Sequence, residues 1–381
     1  MSALFHSYLC GHIAAEWLIK MKFMFLAYFG EGENGNQFGG AEHVFANFAN
    51  WMAQNTKHQV IFSSIGFEAL PYPLADNIIY KHYDANLSSR LSTQISLSKN
   101  TRKTIQEFRP DCIISFSVHP LFHIAFQISA KHIPVFFSVR NDPKLENGLI
   151  TRVMRYFVMN RANGIVFQTH DAQSYFSEKI KQKSSVIHNP LSFQKSDFLI
   201  PESFDNRIVF IGRLNPQKNI GLLLNAFSKI CNDYPELILE IYGEGNQKRE
   251  LLDLAQTLSI DDRVFFMGAH KDVLNRVCGA RMFVLPSLYE GMPNALMEAM
   301  GLGIPVISAD CPCGGPRELI NEGENGYLFE TNNVDDLILK MKSCLSNKNI
   351  YKISLNEREI CKTHSSDKIF SQWIRFMEKQ K

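Results

Sequence analysis

Residues 283–318 read FVLPSLYEGMPNALMEAMGLGIPVISADCPCGGPRE, and the pattern is strand, loop, helix, strand, loop. Phe283 to Leu285 is a short apolar run stopped by Pro286 and Ser287. Asn294 to Met300 is built from helix formers and meets Gly301 and Gly303, residues suited to ending a helix. Pro305 to Ile307 then reads as a second buried strand. Glu290 lies in the loop before the helix and Glu298 lies inside the helix. Between them Gly291-Met292-Pro293-Asn294 is a turn-forming run that leaves backbone N–H groups free at a helix start. A carboxylate at the mouth, amides at the helix tip and a second carboxylate further on suit a polar ligand rich in hydroxyls.

Working outward, the chain alternates strands and helices on both sides of this stretch. On the N-terminal side the expected strands are Lys22–Phe29, Gln59–Ser63, Cys112–Phe116, Val135–Val139, Gly164–Gln168 and Val186–Ile187. The expected helices there are Ala41–Ala53, Ser92–Phe108, Leu121–Lys131, Leu149–Asn160 and Ser174–Lys181. Ser192–Asn206 is polar and breaks the periodicity, after which β/α alternation resumes at Ile208. This predicts an α/β protein with two doubly wound parallel sheets, over residues 21–191 and 207–360, joined by a linker at 192–206. Residues 361–381 are expected to form a closing helix packed back on the first domain, and residues 1–20 to be a disordered tail or an upstream extension. Tandem α/β units of similar size suggest a ligand cleft between them.

At 381 residues the chain is long for a single core. A net charge of +2 gives no reason to expect a nucleic-acid partner. No apolar run reaches the roughly 18 residues of a membrane-spanning helix. The eight cysteines are scattered without a C-x-x-C unit, which reads as free thiols in a reducing compartment, and Cys311-Pro312-Cys313 as packing residues.

Other loops carry further chemistry. Gly30-x-Gly32-x-x-Gly35 matches a dinucleotide fingerprint in its letters only: helical periodicity begins after Gly39-Gly40, and no acidic residue ends the next strand. Gly39 and Gly40 instead place bare backbone at a helix start, where an anion is favoured. In Gly212-Arg213-Leu214-Asn215-Pro216-Gln217-Lys218-Asn219 two cations share one short loop, suited to a diphosphate. Gly243-Glu244-Gly245 is a tight turn after the next strand, and His119 ends a strand of the first domain.

Together these motifs resemble the retaining glycosyltransferases of GT-B architecture, above all glycosyltransferase family 4. The likeness rests on the E-x7-E pair Glu290 and Glu298, GGAE at 39–42, the strand ending at Ser115–His119, HNPL at 188–191, GRLNPQKN at 212–219 and YGEG at 242–245. It covers nearly the whole chain beyond residue 20. The resemblance implies two facing Rossmann-like domains, with the acceptor on the first and the nucleotide-sugar donor on the second. It implies Glu298 on the donor ribose, Glu290 with Gly291 and Asn294 on the transferred sugar, and Arg213 and Lys218 on the diphosphate. Gly39, Gly40 and Gly243 add backbone to the donor site, and His119 sits near sugar and acceptor as a catalytic candidate. Arg140 and Asn141, at a strand end, are candidates for the acceptor's pyrophosphate.

No metal and no cofactor is implied, because cations and amides take the metal's place and no D-x-D ends a strand. Retention implies front-face attack, with the leaving phosphate as base. Residues 310–318, DCPCGGPRE, are similar to a segment of bacterial enzymes that extend lipid-linked oligosaccharides or surface polysaccharides, with an extra glycine before the proline. A UDP-linked hexose or N-acetylhexosamine donor and a lipid-linked saccharide acceptor are therefore expected. The expected location is cytoplasmic, with peripheral contact on the inner membrane through the basic amphipathic stretch Leu149–Arg161 and the lysines 179, 181 and 183. Two other readings stay open at this point. A different GT-B enzyme, such as an epimerase or a phosphorylase, would act without an acceptor or carry a pyridoxal lysine. A non-enzymatic nucleotide-sugar binder would be expected to have lost part of the Glu290, Glu298, Arg213 and Lys218 set.

Overall fold

The computed structural model describes residues 20–29, 40–66, 72–84, 90–116, 118, 121, 132–140, 142–144, 149–200 and 203–380. Two sheets organise them. The first has the strands β1 (Lys22–Phe29), β2 (Gln59–Gly66), β3 (Ile79–Asp84), β4 (Cys112–Ser115), β5 (Val135–Val139), β6 (Gly164–Phe167) and β7 (Ser184–Val186), in the order β3-β2-β1-β4-β5-β6-β7. The second has β8 (Arg207–Ile211), β9 (Ile238–Tyr242), β10 (Val264–Gly268), β11 (Met282–Leu285), β12 (Val306–Ala309) and β13 (Tyr327–Phe329), in the order β10-β9-β8-β11-β12-β13. Every neighbouring pair of the second sheet is parallel.

The apolar runs fix this arrangement. β11 and β12 are buried along their whole length, as strands covered on both faces must be. The helix Asn294–Leu302 between them buries Leu296, Met297, Ala299, Met300 and Leu302, and stops where Gly303 takes a left-handed φ of 75°. The order of the second sheet reverses between β8 and β11. In parallel α/β sheets that reversal is where loops from the carboxyl ends diverge and leave a crevice.

The structure adds to the sequence reading at several points. β3 and β13 were not anticipated. The helix expected over 174–181 is two short ones, His170–Ser174 and Glu178–Lys181, separated at Ser177, whose extended backbone (ψ 157°) caps the second. By contact the chain forms two compact units. One holds the residues up to Ser138, the helix Leu149–Arg161, the start of β6 and the chain from Met377; the other holds Val139, Arg140 and the chain from Val166 to Phe376. Residues 166–191 thus count with the second unit, to which Thr169 is tied by a hydrogen bond between its hydroxyl and Cys313 Sγ (3.4 Å), and His188 and Asn189 by bonds described below. The closing helix Ser366–Lys379 belongs to that unit as far as Phe376. The expected helix over 121–131 and the first 19 residues lie outside the described residues, apart from Leu121. The seven described cysteines are free thiols.

Glu357, fully buried, caps the start of β12: its Oε1 accepts the Val306 N–H at 2.9 Å, while Oε2 is buried without a partner among the described residues. Burial outweighs that one hydrogen bond and pushes the carboxyl well above the usual carboxylate range. The folded state then keeps a proton that the unfolded chain releases above about pH 4.5, so this group costs stability as pH rises from there. Thermal melts across pH should show Glu357→Gln flattening that decline; an unchanged slope would contradict a neutral Glu357.

Candidate active site

The site is built on the loops that leave the carboxyl ends of β8, β9, β11 and β12. The loop after β8 ends in the short 3-10 turn Pro216–Lys218, and the loop after β11 carries Ser287 and Glu290. These two loops flank the reversal point, and there they meet. Lys218 Nζ lies 2.5 Å from Glu290 Oε1, with side-chain exposures of 15% and 8%. Ser287, fully buried, donates to the same oxygen at 2.7 Å. The loops are also joined by backbone, since the Leu288 N–H donates to the Gln217 carbonyl and the Gln217 amide donates to the Tyr289 carbonyl. Glu290 Oε2 makes no hydrogen bond among the described residues.

The loop after β12 holds Glu290 from the other side. The Glu290 N–H donates to the Pro312 carbonyl at 2.6 Å, and the Cys313 N–H returns a bond to the Glu290 carbonyl at 2.8 Å. Close approach requires glycine here: a Cβ on Gly315 would lie 1.7 Å from the Gly291 carbonyl oxygen. The extra glycine noted in DCPCGGPRE is thus what seats this loop on the turn carrying Gly291. Gly243 plays the same part after β9. Its φ is +139° and a Cβ would lie 1.9 Å from the Gly212 carbonyl oxygen, so the two strand-end loops are packed backbone to backbone.

Arg213 is exposed, and its guanidinium makes no ion pair or hydrogen bond among the described residues. It is therefore available to an anion, whereas Lys218 would share its three protons between Glu290 and a ligand. Asn294 starts the helix Asn294–Leu302, whose cap is Pro293, a residue with no side-chain acceptor for the first-turn N–H groups. Glu298, one turn further in, is half-buried and accepts from Ser192 Oγ at Oε1 (2.8 Å). Its Oε2, like that of Glu290, takes no hydrogen bond among the described residues. Burial pushes the Glu298 carboxyl up to about 7, and the Ser192 hydroxyl works against that rise.

Sequence reading missed the polar residues that hold the Gly291 turn. Asn189, buried, donates to Asn294 Oδ1 at 2.6 Å and accepts from Arg140 Nη1 at 2.6 Å. Gln168, with its amide turned to satisfy both ends, donates to the Arg140 carbonyl and accepts from Asn189 Nδ2, each at 2.9 Å. A Cβ on Gly291 would lie 2.8 Å from that same Arg140 carbonyl. Arg140, read as an acceptor candidate, is thus placed against the turn carrying Gly291. The HNPL signal at 188–191 was the one available pointer to Asn189. Its neighbour His188 bridges Glu318 (Nε2 to Oε2, 2.8 Å) and His364 (Nδ1 to Nε2, 2.9 Å). Burial raises the Glu318 carboxyl, but hydrogen bonds from His188 and the His170 N–H outweigh it and hold the carboxyl below its usual value. Burial, with the nearby His188 and Lys368, lowers His364 to about 4.

The second unit therefore brings together Glu290, Gly291, Asn294, Glu298, Arg213, Lys218, Gly243 and Arg140. Gly40 is the first residue of the helix Gly40–Asn55 in the first unit. Gly39, His119 and Asn141 lie outside the described residues, as does the Gly30–Gly35 fingerprint.

Two family models match the chain in tandem over residues 38–362. The model described as glycosyl transferases group 1 matches residues 194–362, and that of glycosyltransferase family 4 matches residues 38–195. A lipopolysaccharide 1,6-galactosyltransferase of Salmonella typhimurium is 27% identical over 85% of this chain and 90% of its own length. A glycosyltransferase of Haemophilus influenzae is 26% identical over 88% of this chain and 95% of its own. Among solved structures, the lipopolysaccharide outer core galactosyltransferase WaaB superposes with a TM-score of 0.73 at 20% identity, covering 95% of this chain and all of WaaB. Anabaena Alr3699/HepE in complex with UDP-glucose gives 0.77 at 18% identity, over 94% of this chain and all of HepE. The chain is a glycosyltransferase of the group 1, family 4 kind, and its fold is GT-B.

Proposed function

We propose that the protein transfers a hexose or N-acetylhexosamine, with retention, from a UDP-linked donor to a lipid-linked saccharide acceptor in surface polysaccharide synthesis. The observation that carries this reading is the state of the two carboxylates. Glu290 and Glu298 each have one oxygen held by protein donors and the other without a hydrogen bond among the described residues, as is the guanidinium of the exposed Arg213, and Lys218 lies at the sheet's reversal point. Glu298 is suited to accept ribose hydroxyls, and Glu290 hydroxyls of the transferred sugar. Arg213, Lys218 and the positive end of the helix Asn294–Leu302 neutralise the diphosphate. As the C1–O bond to phosphate breaks, the electron pair leaves with the diphosphate. The acceptor hydroxyl attacks C1 from the same face and its proton passes to the departing phosphate oxygen. In this scheme cations and amides stabilise the leaving group without a metal. The acceptor is assigned to the N-terminal Rossmann-like domain, and His119, Asn141, Gly39 and Gly40 keep the roles that the family resemblance gives them.

The acceptor class and the location draw support from names and from one surface. The Salmonella relative is named for lipopolysaccharide. A Campylobacter jejuni relative, 28% identical over 46% of this chain, is named for a diphospho-undecaprenol acceptor. Among the described residues no helix is long and apolar enough to cross a membrane. The helix Leu149–Arg161 exposes Ile150, Val153 and Tyr156 (76%, 57% and 71%) beside Arg152 and Arg161, a composition that suits the surface of an anionic bilayer on its cytoplasmic side. Arg155, counted in that basic face from sequence, is buried and contributes nothing to it.

Thermal shift with UDP-, GDP-, ADP- and dTDP-sugars, with and without EDTA, tests the donor. UDP-sugars alone should raise the melting temperature, and EDTA should leave the shift intact. Glu298→Ala should weaken UDP binding by roughly 1.5–3 kcal/mol, about 10- to 100-fold, and unchanged affinity would remove the ribose assignment. Glu290→Ala should lower kcat with little change in donor affinity; loss of affinity alone would contradict its role. Val153→Glu should cut sedimentation with anionic vesicles about tenfold, and binding equal to wild type would remove the membrane assignment.

A further inference from the structure

Ser192 lies 106 residues before Glu298, yet its hydroxyl donates to Glu298 Oε1 at 2.8 Å. The residues on either side hold it there. Leu191 is 2% exposed, its N–H donates to the His364 carbonyl at 2.8 Å and its own carbonyl accepts from Ser366. Phe193 and Leu191 both pack on the helix that carries Glu298: a Cβ on Gly301 would lie 2.8 Å from the Phe193 ring and 3.4 Å from Leu191 Cδ1. These contacts fix the backbone of residue 192 beside the helix that carries Glu298, so that its exposed hydroxyl reaches Oε1. Burial and this hydroxyl are the two influences on the Glu298 carboxyl, and no charged side chain among the described residues contributes.

We propose that Ser192 is a positioning residue for donor recognition: its hydroxyl fixes Oε1 of Glu298 and leaves Oε2 to accept the ribose hydroxyls of the nucleotide. The inference rests on the ribose reading of Glu298. A carboxylate accepts from two hydroxyl groups better than a carboxylic acid does, because protonation turns one oxygen into a donor. Without the serine, no group among the described residues opposes the effect of burial, and Glu298 stays protonated to higher pH.

The test is calorimetric titration of wild type, Ser192→Ala, Ser192→Thr and Glu298→Gln with UDP and with 2′-deoxy-UDP, from about pH 5.5 to about pH 9. Wild type should bind UDP more tightly as pH rises through about 7 and should prefer it to 2′-deoxy-UDP. Ser192→Ala should move that transition to higher pH and weaken UDP about five- to tenfold near neutrality, with a smaller deficit at the alkaline end. Ser192→Thr, which keeps the hydroxyl, should restore the wild-type profile. Glu298→Gln should lose both the pH dependence and the preference for ribose. If Glu298→Gln loses the preference while Ser192→Ala keeps the wild-type affinity and transition, the inference is overturned and the ribose reading stands. Equal weakening of both nucleotides by Ser192→Ala at every pH would reduce the serine to a structural role and also overturn it. A ribose preference surviving in Glu298→Gln, or no UDP binding by wild type, would overturn the reading on which it rests.

Discussion

The ammonium of Lys218 and the carboxylate of Glu290 lie 2.5 Å apart in a place where neither is well hydrated. Burying two charges costs several kcal/mol per ion in effective terms, and their attraction recovers it only when the geometry is good and the remaining valences are filled. Here Ser287 fills one of them, and the backbone of Glu290 is tied in both directions to Pro312 and Cys313. The pair thus joins the loops after β8 and β11 across the one point where the order of the second sheet reverses. Removing either charge would leave the other stranded, so the pair constrains the loops as well as equipping them.

The rest of the site follows from holding those loops in register. Three glycines, Gly243, Gly291 and Gly315, sit where a β-carbon would collide with a neighbouring backbone, so the loops can lie this close only with bare backbone at these positions. Asn189 and Gln168 then fix Asn294 and the turn before it with buried hydrogen bonds, which are worth most where water is excluded. The two carboxylates end up alike in one respect: each has one oxygen occupied by the protein and the other without a hydrogen bond among the described residues. A site for hydroxyl-rich ligands needs such an arrangement, since an unheld carboxylate would first have to be ordered by the ligand.

Much of this was legible in the sequence because it is encoded locally. The apolar runs of β8, β9, β11 and β12, the helix formers of 294–302 and the seven-residue gap between Glu290 and Glu298 sit within short windows. β3 was lost because Ile79–Asp84 follows a proline-containing stretch and carries Lys81, His82 and Asp84 among its six residues, a weak strand signal. The split of the helix at Ser177 was lost because a serine is tolerated inside helices and reveals its capping role only through backbone geometry. Asn189 showed only through the HNPL signal, and the partners Gln168 and Ser192 were invisible for another reason. Each acts on a residue brought near by the fold, up to 106 positions away, and no spacing rule links a serine in a polar linker to a glutamate in a distant helix.

The central claim is that Lys218 serves Glu290 and the donor diphosphate together. Calorimetry of Lys218→Gln with UDP and with uridine tests it directly, because uridine carries the ribose and lacks the diphosphate. The account predicts a loss of UDP affinity of about tenfold or more with a clearly smaller loss for uridine. Equal loss for both ligands, or retention of full UDP affinity, would contradict it.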